Sequence, residues 1–293
     1  MSNIFDNIIS LPSKEVEKQT ESLVGFEAKF SRIYNNLKLL LDQESLSEWS
    51  NKYHKVELPI ISQLKDKYPL IILAGDAGTG KTISAISIAD KMTRELNQEG
   101  FFLKLSTRVR GEGLHGEMGK LVNNAFAELK NQAGKRRLAF LLIDEADAIA
   151  TTRATGQMHQ EEKAAVNTLI QKIDEIREMG GRAILFMSTN RLHFLDEAIL
   201  RRAAIVLEFK RPTKEEYKAL YSQSLKGIDI KDEELNELAK MSKRDGDSVG
   251  YSFSDIRLRV LPEAVAMAYP DKPLSFAIIK EVIKTVQPSP EIK

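Results

Sequence analysis

The sequence lacks several features that would each place a chain in a particular class of protein. None of its 293 residues is cysteine, which excludes disulfide bonds, thiolate zinc sites and thiol catalysis and fits a cytoplasmic location. A net charge of +1 creates no overall basic field for nucleic acid, and the four histidines lack metal-ligand spacing. No apolar run approaches the ~18 residues of a membrane helix, and no signal peptide is recognisable. We therefore expect a globular protein without a membrane partner.

Two hydrophobic periodicities alternate along the chain between Leu23 and Phe209. Strand-like apolar runs occupy Leu70–Ala74, Phe101–Leu105, Leu138–Ile143, Ala183–Met187 and Ile205–Phe209. Helical patterns occupy Leu23–Leu41, Thr82–Leu96, Met118–Lys130 and Glu161–Met179. Strands that alternate with helices predict an α/β fold, with a five-stranded parallel sheet and helices on both of its faces.

The pattern changes after Phe209, where strand-like runs stop. Thr213 and Glu216 have the spacing of a capping box at the start of a helix. Further helical patterns follow at Glu233–Lys243, Ser252–Tyr269 and Leu274–Val286. We predict an N-terminal arm (1–22), an α/β domain (23–211) and an all-helical domain (212–293).

A glycine-rich stretch joins the first strand-like run to an amphipathic helix. It has the spacing Gly75-x-x-x-x-Gly80-Lys81-Thr82, in which small residues let backbone N–H groups surround a polyphosphate. Lys81 would contact the β- and γ-phosphates, and the Thr82 hydroxyl would ligate Mg²⁺. A simple glycine-rich turn is the alternative, but the strand before it and the helix after it favour a nucleotide site. The predicted nucleotide-binding residues are Asp76, Ala77, Gly78, Thr79, Gly80, Lys81 and Thr82.

Polar residues end two later strand-like runs. Asp144 and Glu145 follow Leu138–Ile143 directly, as expected of an Mg²⁺ partner and a carboxylate that polarises the attacking water. An acidic helix start is the alternative for this pair. Asn190 ends the stretch "AILFMSTN", where its amide could orient that water; a turn asparagine is the alternative.

Two adjacent arginines precede the last strand-like run, in "ILRRAAIVLEF". Phosphoryl transfer commonly uses an arginine from a neighbouring subunit to neutralise charge at the γ-phosphate. We place Arg201 and Arg202 at the edge of the domain, away from its own phosphate loop, and expect them to reach a neighbour's nucleotide in a closed ring. A solvated pair, or an ion pair with Asp196 or Glu197, is the alternative.

From Leu23 to about Tyr269 the chain resembles AAA+ ATPases. "GDAGTGKT" is similar to the Walker A motif, "LLIDEAD" to Walker B, "MSTN" to sensor 1 and "LDEAILRRA" to the arginine-finger region. The resemblance implies ATP and Mg²⁺ as cofactors, and it implies that Val24 and Gly25 of "LVGFE" lie behind the adenine. The usual Gly-Arg of sensor 2 is absent; the resemblance offers Arg257 or Arg259 for this role, of which we favour Arg257, and a surface arginine without this role is the alternative.

A closer resemblance is to the pachytene-checkpoint type of AAA+ remodeller, carried by "GEMGKLVNNAF", "AAVNTLIQKIDEI" and "YSFSDIRLRVLPEAVAMAY". It implies a homo-hexameric ATPase that opens HORMA-domain proteins. The short arm before "LVGFE" is as expected for bacterial members, which regulate anti-phage (CBASS) signalling by taking apart a HORMA protein and its bound nucleotidyltransferase. Where the family's pore loop usually carries an aromatic residue, this chain has Leu114 and His115, and the resemblance implies that "TTRATGQMHQEE" lines the same pore. A mobile loop without substrate contact is the alternative for the first segment, and a flexible connector is the alternative for the second.

Two other functions remain open from the residues alone. The first is an AAA+ nucleic-acid motor or loader, with Arg108, Arg110 and the basic run Lys135–Arg137 lining its pore. The second is a nucleotide-gated scaffold without hydrolysis, against which the acidic pair Asp144-Glu145 argues. We favour the remodeller, since the chain has no overall basic charge.

Overall fold

The computed structural model describes residues 4–64, 66–106, 117–151, 160–244 and 249–291. These residues form two compact units. The first contains the N-terminal residues up to Glu21, together with Phe26–Ala74 and Thr82–Glu208. The second contains Ser22–Gly25, Gly75–Lys81 and the residues that follow Glu208. The phosphate loop therefore clusters with the C-terminal helical residues.

A six-stranded, mostly parallel sheet forms the centre of the first unit. Its strands are β1 (Phe5–Leu11), β2 (Leu70–Gly75), β3 (Gly100–Leu105), β4 (Leu138–Ile143), β5 (Ala183–Thr189) and β6 (Ile205–Phe209), in the order β1-β3-β4-β5-β2-β6. Strand β4 is parallel to β3 and β5, and β5 is parallel to β2. Every residue of β4 and β5 is buried, which is typical of strands covered on both faces.

The predicted α/β fold with a parallel sheet is confirmed, but the strand count of five was wrong. Strand β1 adds a sixth strand at the sheet edge, where it runs antiparallel to β3. Its sequence, FDNIISL, buries only the first and last residues, so it has no apolar alternation that predicts a strand. The N-terminal arm therefore contributes backbone hydrogen bonds to the sheet.

Helices flank these strands in the first unit. Their bounds are α1 (Lys14–Glu21), α2 (Phe26–Leu41), α3 (Gln43–His54), α4 (Ile60–Leu64), α5 (Lys81–Glu95), α6 (Glu117–Ala133), α7 (Gln160–Arg177) and α8 (Glu197–Leu200). Phe126 of α6 and Ile173 of α7 belong to the same buried cluster as Ile143 of β4 and Leu185 of β5. This core lies directly beneath the ends of the strands that carry the predicted catalytic residues.

The second unit is helical apart from the phosphate loop and the end of β6. Its helices are α9 (Lys214–Ser224), α10 (Asp232–Lys243), α11 (Phe253–Asp255), α12 (Leu261–Ala268) and α13 (Phe276–Thr285), with a π-helical turn at Ile256–Val260. The predicted capping box is confirmed: Thr213 accepts from the Glu216 N–H, and the Glu216 carboxylate accepts from the Thr213 N–H. Buried Tyr217, Tyr221 and Tyr251 fill the core of this unit. In the described parts of both units, no helix is long and apolar enough to cross a membrane.

Candidate nucleotide site

The phosphate loop depends on glycine at fixed positions. Gly75, at the end of β2, has φ +140°, and a Cβ there would lie 2.0 Å from the Phe209 carbonyl oxygen. Gly78 has φ +72°, and its Cβ would lie 2.7 Å from Ser252 Oγ. Gly80 has φ +92° and directly precedes α5. The loop therefore follows a path that residues with side chains could not adopt without strain.

Lys81 lies within the fold of this loop and is buried. Its ammonium donates to the carbonyl oxygens of Gly75 (2.8 Å) and Asp76 (2.7 Å), and the Thr79 hydroxyl donates to the same Asp76 oxygen (2.7 Å). The second unit thus presents a positive charge and a curled backbone beside the start of a 15-residue helix. These are the components that bind a polyphosphate.

Within the first unit, Asp144 is the centre of a polar cluster at the carboxyl end of β4. Thr82 Oγ1 donates to Asp144 Oδ2 at 2.9 Å, and the Ser188 hydroxyl donates to Asp144 Oδ1. Lys104 Nζ lies 3.6 Å from Asp144 Oδ2. A carboxylate and a hydroxyl fit Mg²⁺, which takes few protein ligands and fills its shell with water and phosphate oxygens.

Glu145 has a left-handed backbone conformation, with φ +49° and ψ +49°. It is exposed and precedes the 3₁₀ turn Ala146–Ala148, and its N–H donates to Asp144 Oδ1 at 3.2 Å. Residues other than glycine in this region carry strain that concentrates at functional sites. The Glu145 side chain is exposed to solvent and directly follows Asp144.

Asn190 directly follows β5 and is half-buried. The preceding Thr189 donates to Asp147 Oδ1 at 2.8 Å and accepts from the Arg191 N–H at 2.9 Å. Since β5 lies beside β4, these bonds fix the backbone that carries Asn190 next to the acidic pair. The first unit therefore brings Asp144, Glu145 and Asn190 to the same edge of the sheet.

The two predicted arginine fingers differ in their surroundings. Arg202 Nε and Nη2 donate to the Asp174 carboxylate at 2.6 and 3.1 Å, Nη1 donates to the Ala198 carbonyl at 3.0 Å, and the guanidinium lies over the Tyr68 ring. The hydrogen bonds with Asp174 raise the pKa of Arg202. Arg201 is 79% exposed and pairs with the equally exposed Glu197 at 3.2 Å. From the sequence, Glu197 was predicted as a possible ion-pair partner of these arginines, but Asp174 was not.

In the second unit, Val24 packs against the helical core and Gly25 has φ +70°. Arg257 Nη2 donates to the Ser22 carbonyl, two residues before Val24, and burial lowers the Arg257 pKa. Arg259 instead pairs with Asp255 at 3.0 Å. Of the two sensor-2 candidates, Arg257 is therefore the one beside the segment predicted to contact adenine. Leu114, His115 and most of the second loop lie outside the described residues.

Several charged residues around these groups were not predicted from the sequence, among them Lys104, Asp174 and Arg211. Lys104 and Asp174 lie within apolar periodic segments, where a charged side chain is normally interpreted as one that faces solvent. Arg211 follows β6, and its Nε lies 2.5 Å from the carboxylate of Asp76 in the phosphate loop. The sequence feature that could have indicated this cation is the aspartate in a phosphate-binding loop, because its negative charge would otherwise repel the phosphates.

Comparison of the sequence with known proteins identifies its family. Residues 71–211 match the family described as ATPase family associated with various cellular activities (AAA). CD-NTase-associated protein 6 of Escherichia coli (strain KTE188) is 45% identical over 290 residues, which cover 99% of this chain and 97% of that protein.

Solved structures of similar proteins give the same result. A chain of the E. coli MS115-1 HORMA:CdnC:Trip13 complex superposes with a TM-score of 0.92 at 36% identity, covering 99% of this chain and 97% of that one. The Rhizobiales Trip13 structure gives 0.76 at 29% identity, with 98% and 99% covered. The chain therefore belongs to the AAA family of ATPases, in the group of CD-NTase-associated protein 6, and it binds and hydrolyses ATP.

Proposed function

We propose that the chain is an Mg²⁺-ATP-driven hexameric remodeller that takes apart a complex of a HORMA-domain protein with a nucleotidyltransferase and so regulates CBASS signalling. The observation that carries this proposal is the TM-score of 0.92 to a chain of the HORMA:CdnC:Trip13 complex over nearly the full length of both chains. The name of the 45% identical relative, CD-NTase-associated protein 6, supports the same partner class.

The roles of the chain's own residues follow from their chemistry. Lys81 and the loop N–H groups would bind the β- and γ-phosphates. Thr82 and Asp144 would hold Mg²⁺, which when bound neutralises phosphate charge. Glu145 accepts a proton from a water molecule while the oxygen of that water attacks the γ-phosphorus. The bond between the γ-phosphorus and the oxygen that bridges it to the β-phosphorus then breaks, and ADP leaves. Asn190 orients that water.

The remaining positive charge would come from a neighbouring subunit. Arg202, with Arg201, would contact the γ-phosphate across a subunit boundary, so that a closed ring is needed for hydrolysis. ATP binding and release would then move Leu114 and His115, which we propose to face a central pore and to grip an extended segment of the substrate. Leu114 supplies an apolar side chain and His115 a flat ring.

A direct test uses the purified chain with a purified HORMA protein bound to its nucleotidyltransferase. We expect ATP to release the nucleotidyltransferase, and the HORMA complex, but not duplex DNA, to stimulate hydrolysis. Stimulation by DNA without release would favour the nucleic-acid motor instead.

The variant carrying Leu114→Asp and His115→Ala tests whether contact with the substrate can be lost without loss of ATP hydrolysis. Because the loop is remote in sequence from every predicted phosphate-contacting residue, basal ATP hydrolysis should persist while release of the nucleotidyltransferase is lost. Ring assembly of the variant is checked by light scattering. Release at the wild-type rate would exclude this loop as the gripping element.

A further inference from the structure

The phosphate loop contains a carboxylate that the reaction does not use. Asp76 is 9% exposed, and its Oδ1 accepts from the N–H of the next loop residue, Ala77, at 2.8 Å. A carboxylate inside a loop that binds a polyanion repels that ligand unless a cation neutralises it. Arg211 supplies the cation, since its Nε lies 2.5 Å from Asp76 Oδ2 and its side chain is only 11% exposed.

Arg211 also connects this carboxylate to two other segments of the second unit. Its Nη1 donates to the Gly250 carbonyl, and its Nη2 donates to the carbonyls of Ser289 (2.9 Å) and Pro290 (3.3 Å). All three guanidinium nitrogens therefore donate hydrogen bonds in a fixed plane. A lysine ammonium could not reproduce this planar arrangement.

The segment containing Ser289 leads back to the phosphate loop through Asp255. The Asp255 carboxylate accepts from the Ser289 hydroxyl at 2.8 Å and from the Ser252 N–H at 2.9 Å. Burial raises the pKa of Asp255, but hydrogen bonds from these two serines outweigh burial and leave it below its ordinary value. The N–H of nearby Ser254 donates to the Gly78 carbonyl at 3.1 Å. The phosphate loop is thus held at both Asp76 and Gly78 by one connected network.

We propose that Arg211 is a positioning residue for nucleotide binding: it neutralises Asp76 and fixes the phosphate loop, while the C-terminal segment 288–290 holds the guanidinium in place. Two consequences follow. Loss of Arg211 leaves an uncompensated, largely buried carboxylate where the phosphates bind, so nucleotide affinity falls. Loss of the C-terminal segment frees the guanidinium and weakens affinity by a smaller factor.

The first experiment measures the Kd of a fluorescent ADP analogue for the full-length chain without added metal. Arg211→Met should raise the Kd at least ~10-fold, and Arg211→Lys should give an intermediate value. In the Asp76→Ala background the same Arg211→Met change should shift the Kd by less than ~3-fold, since no carboxylate is then left in the phosphate loop; Asp255, whose Oδ2 lies 3.9 Å from Arg211 Nη1, keeps its hydrogen bonds from Ser252 and Ser289. Thermal unfolding followed by circular dichroism monitors folding of each variant.

The difference between the effects of Arg211→Met with and without Asp76 distinguishes a positioning role from general stabilisation. A merely structural arginine would weaken binding equally with or without Asp76, and that result would overturn the proposal. An unchanged Kd for a folded Arg211→Met variant would overturn it as well.

A second experiment keeps the proposal testable if Arg211→Met does not fold. A chain ending at Gln287 lacks the Ser289 and Pro290 carbonyls and should show an ADP-analogue Kd about 3- to 10-fold higher. A chain ending at Glu291 retains both carbonyls and serves as the matched control, with an expected Kd like that of the full-length chain. Equal affinities for the two truncated chains would contradict a role for the C-terminal segment.

Discussion

At the residue scale, Glu145 carries the sharpest prediction about chemistry. Glu145→Gln keeps the size of the side chain but replaces the carboxylate that accepts a proton from water. We expect ATP to bind normally while hydrolysis falls at least ~10²-fold, the size of contribution usual for a general base. Phosphate release and binding of a fluorescent ATP analogue are measured on the same sample. Near-normal turnover would remove Glu145 from this role.

Because Glu145 has a left-handed backbone conformation, Glu145→Gly serves as a matched control. Glu145→Gly also removes the carboxylate but relieves the backbone strain, so we expect it to be as slow as Glu145→Gln and more stable than it to heat. Melting temperatures of the two variants test the second expectation. A lower melting temperature for the glycine variant would indicate that the Glu145 side chain itself stabilises the fold.

Individual site residues can be predicted from a sequence where a motif imposes the chemistry. The spacing of Gly75, Gly80, Lys81 and Thr82 fixes a phosphate loop because each position has a separate steric or electrostatic task. The partners of Asp76 and Arg202 could not be predicted in this way. Arg211 is 135 residues from Asp76 in sequence and Asp174 is 28 residues from Arg202, so only the fold brings each pair together.

At the element scale, the junction of β2 with the phosphate loop should tolerate no side chain. Gly75→Ala would place a Cβ 2.0 Å from the Phe209 carbonyl oxygen and would also strain a backbone at φ +140°. Gly180 has φ +59° with nothing within 4 Å of an added Cβ, so Gly180→Ala carries backbone strain alone. It should cost roughly 1–2 kcal/mol of unfolding free energy, and Gly75→Ala clearly more.

Urea unfolding of both glycine variants, followed by circular dichroism, compares these costs. Nucleotide binding is measured alongside, because displacement of Phe209 or of the loop should also weaken binding by Gly75→Ala. Equal stability of the two variants would mean that the backbones at Gly75 and Phe209 can separate at little cost.

Elements with a strong periodicity could be predicted from the sequence, and those stabilised by tertiary contacts could not. Strands β4 and β6 have the predicted bounds, since each is a short apolar run between polar segments. Strand β1 exists because β3 offers it a hydrogen-bonding edge. Helix α1 follows from side-chain contacts with α5, where Thr20 donates to Ser87 at 2.8 Å. Neither partner is visible in the local pattern of residues 1–22.

At the scale of the whole molecule, the ring and trans action by Arg202 stay predictions. In the single chain, Asp174 holds the Arg202 guanidinium, and the side chain is 23% exposed. That ion pair is compatible with trans action, because part of the Arg202 side chain remains exposed to solvent. Arg202→Ala should therefore abolish ATP hydrolysis, by ~10³-fold or more if the finger acts as in related phosphoryl transfer, without preventing ATP binding.

Mixed rings test whether that contact crosses a subunit boundary. Arg202→Ala chains bind ATP but lack the arginine, and Lys81→Ala chains keep the arginine but should not bind ATP. When the two are mixed and reassembled, some boundaries combine an intact Lys81 with an intact Arg202, so part of the hydrolysis should return. In the matched control, Arg202→Ala chains are mixed with chains carrying both substitutions; no boundary is complete there, and the mixture should stay inactive.

The outcome depends on verified assembly, so native mass spectrometry first establishes that the rings contain both chains. Recovery in the first mixture but not in the control requires that Lys81 and Arg202 of different subunits serve the same nucleotide. An isolated monomer that hydrolyses ATP at the wild-type rate would rule out trans action. If hydrolysis returns in both mixtures, a boundary without Arg202 suffices. Arg201 then becomes the side chain to substitute next, since it is 79% exposed and pairs with the equally exposed Glu197.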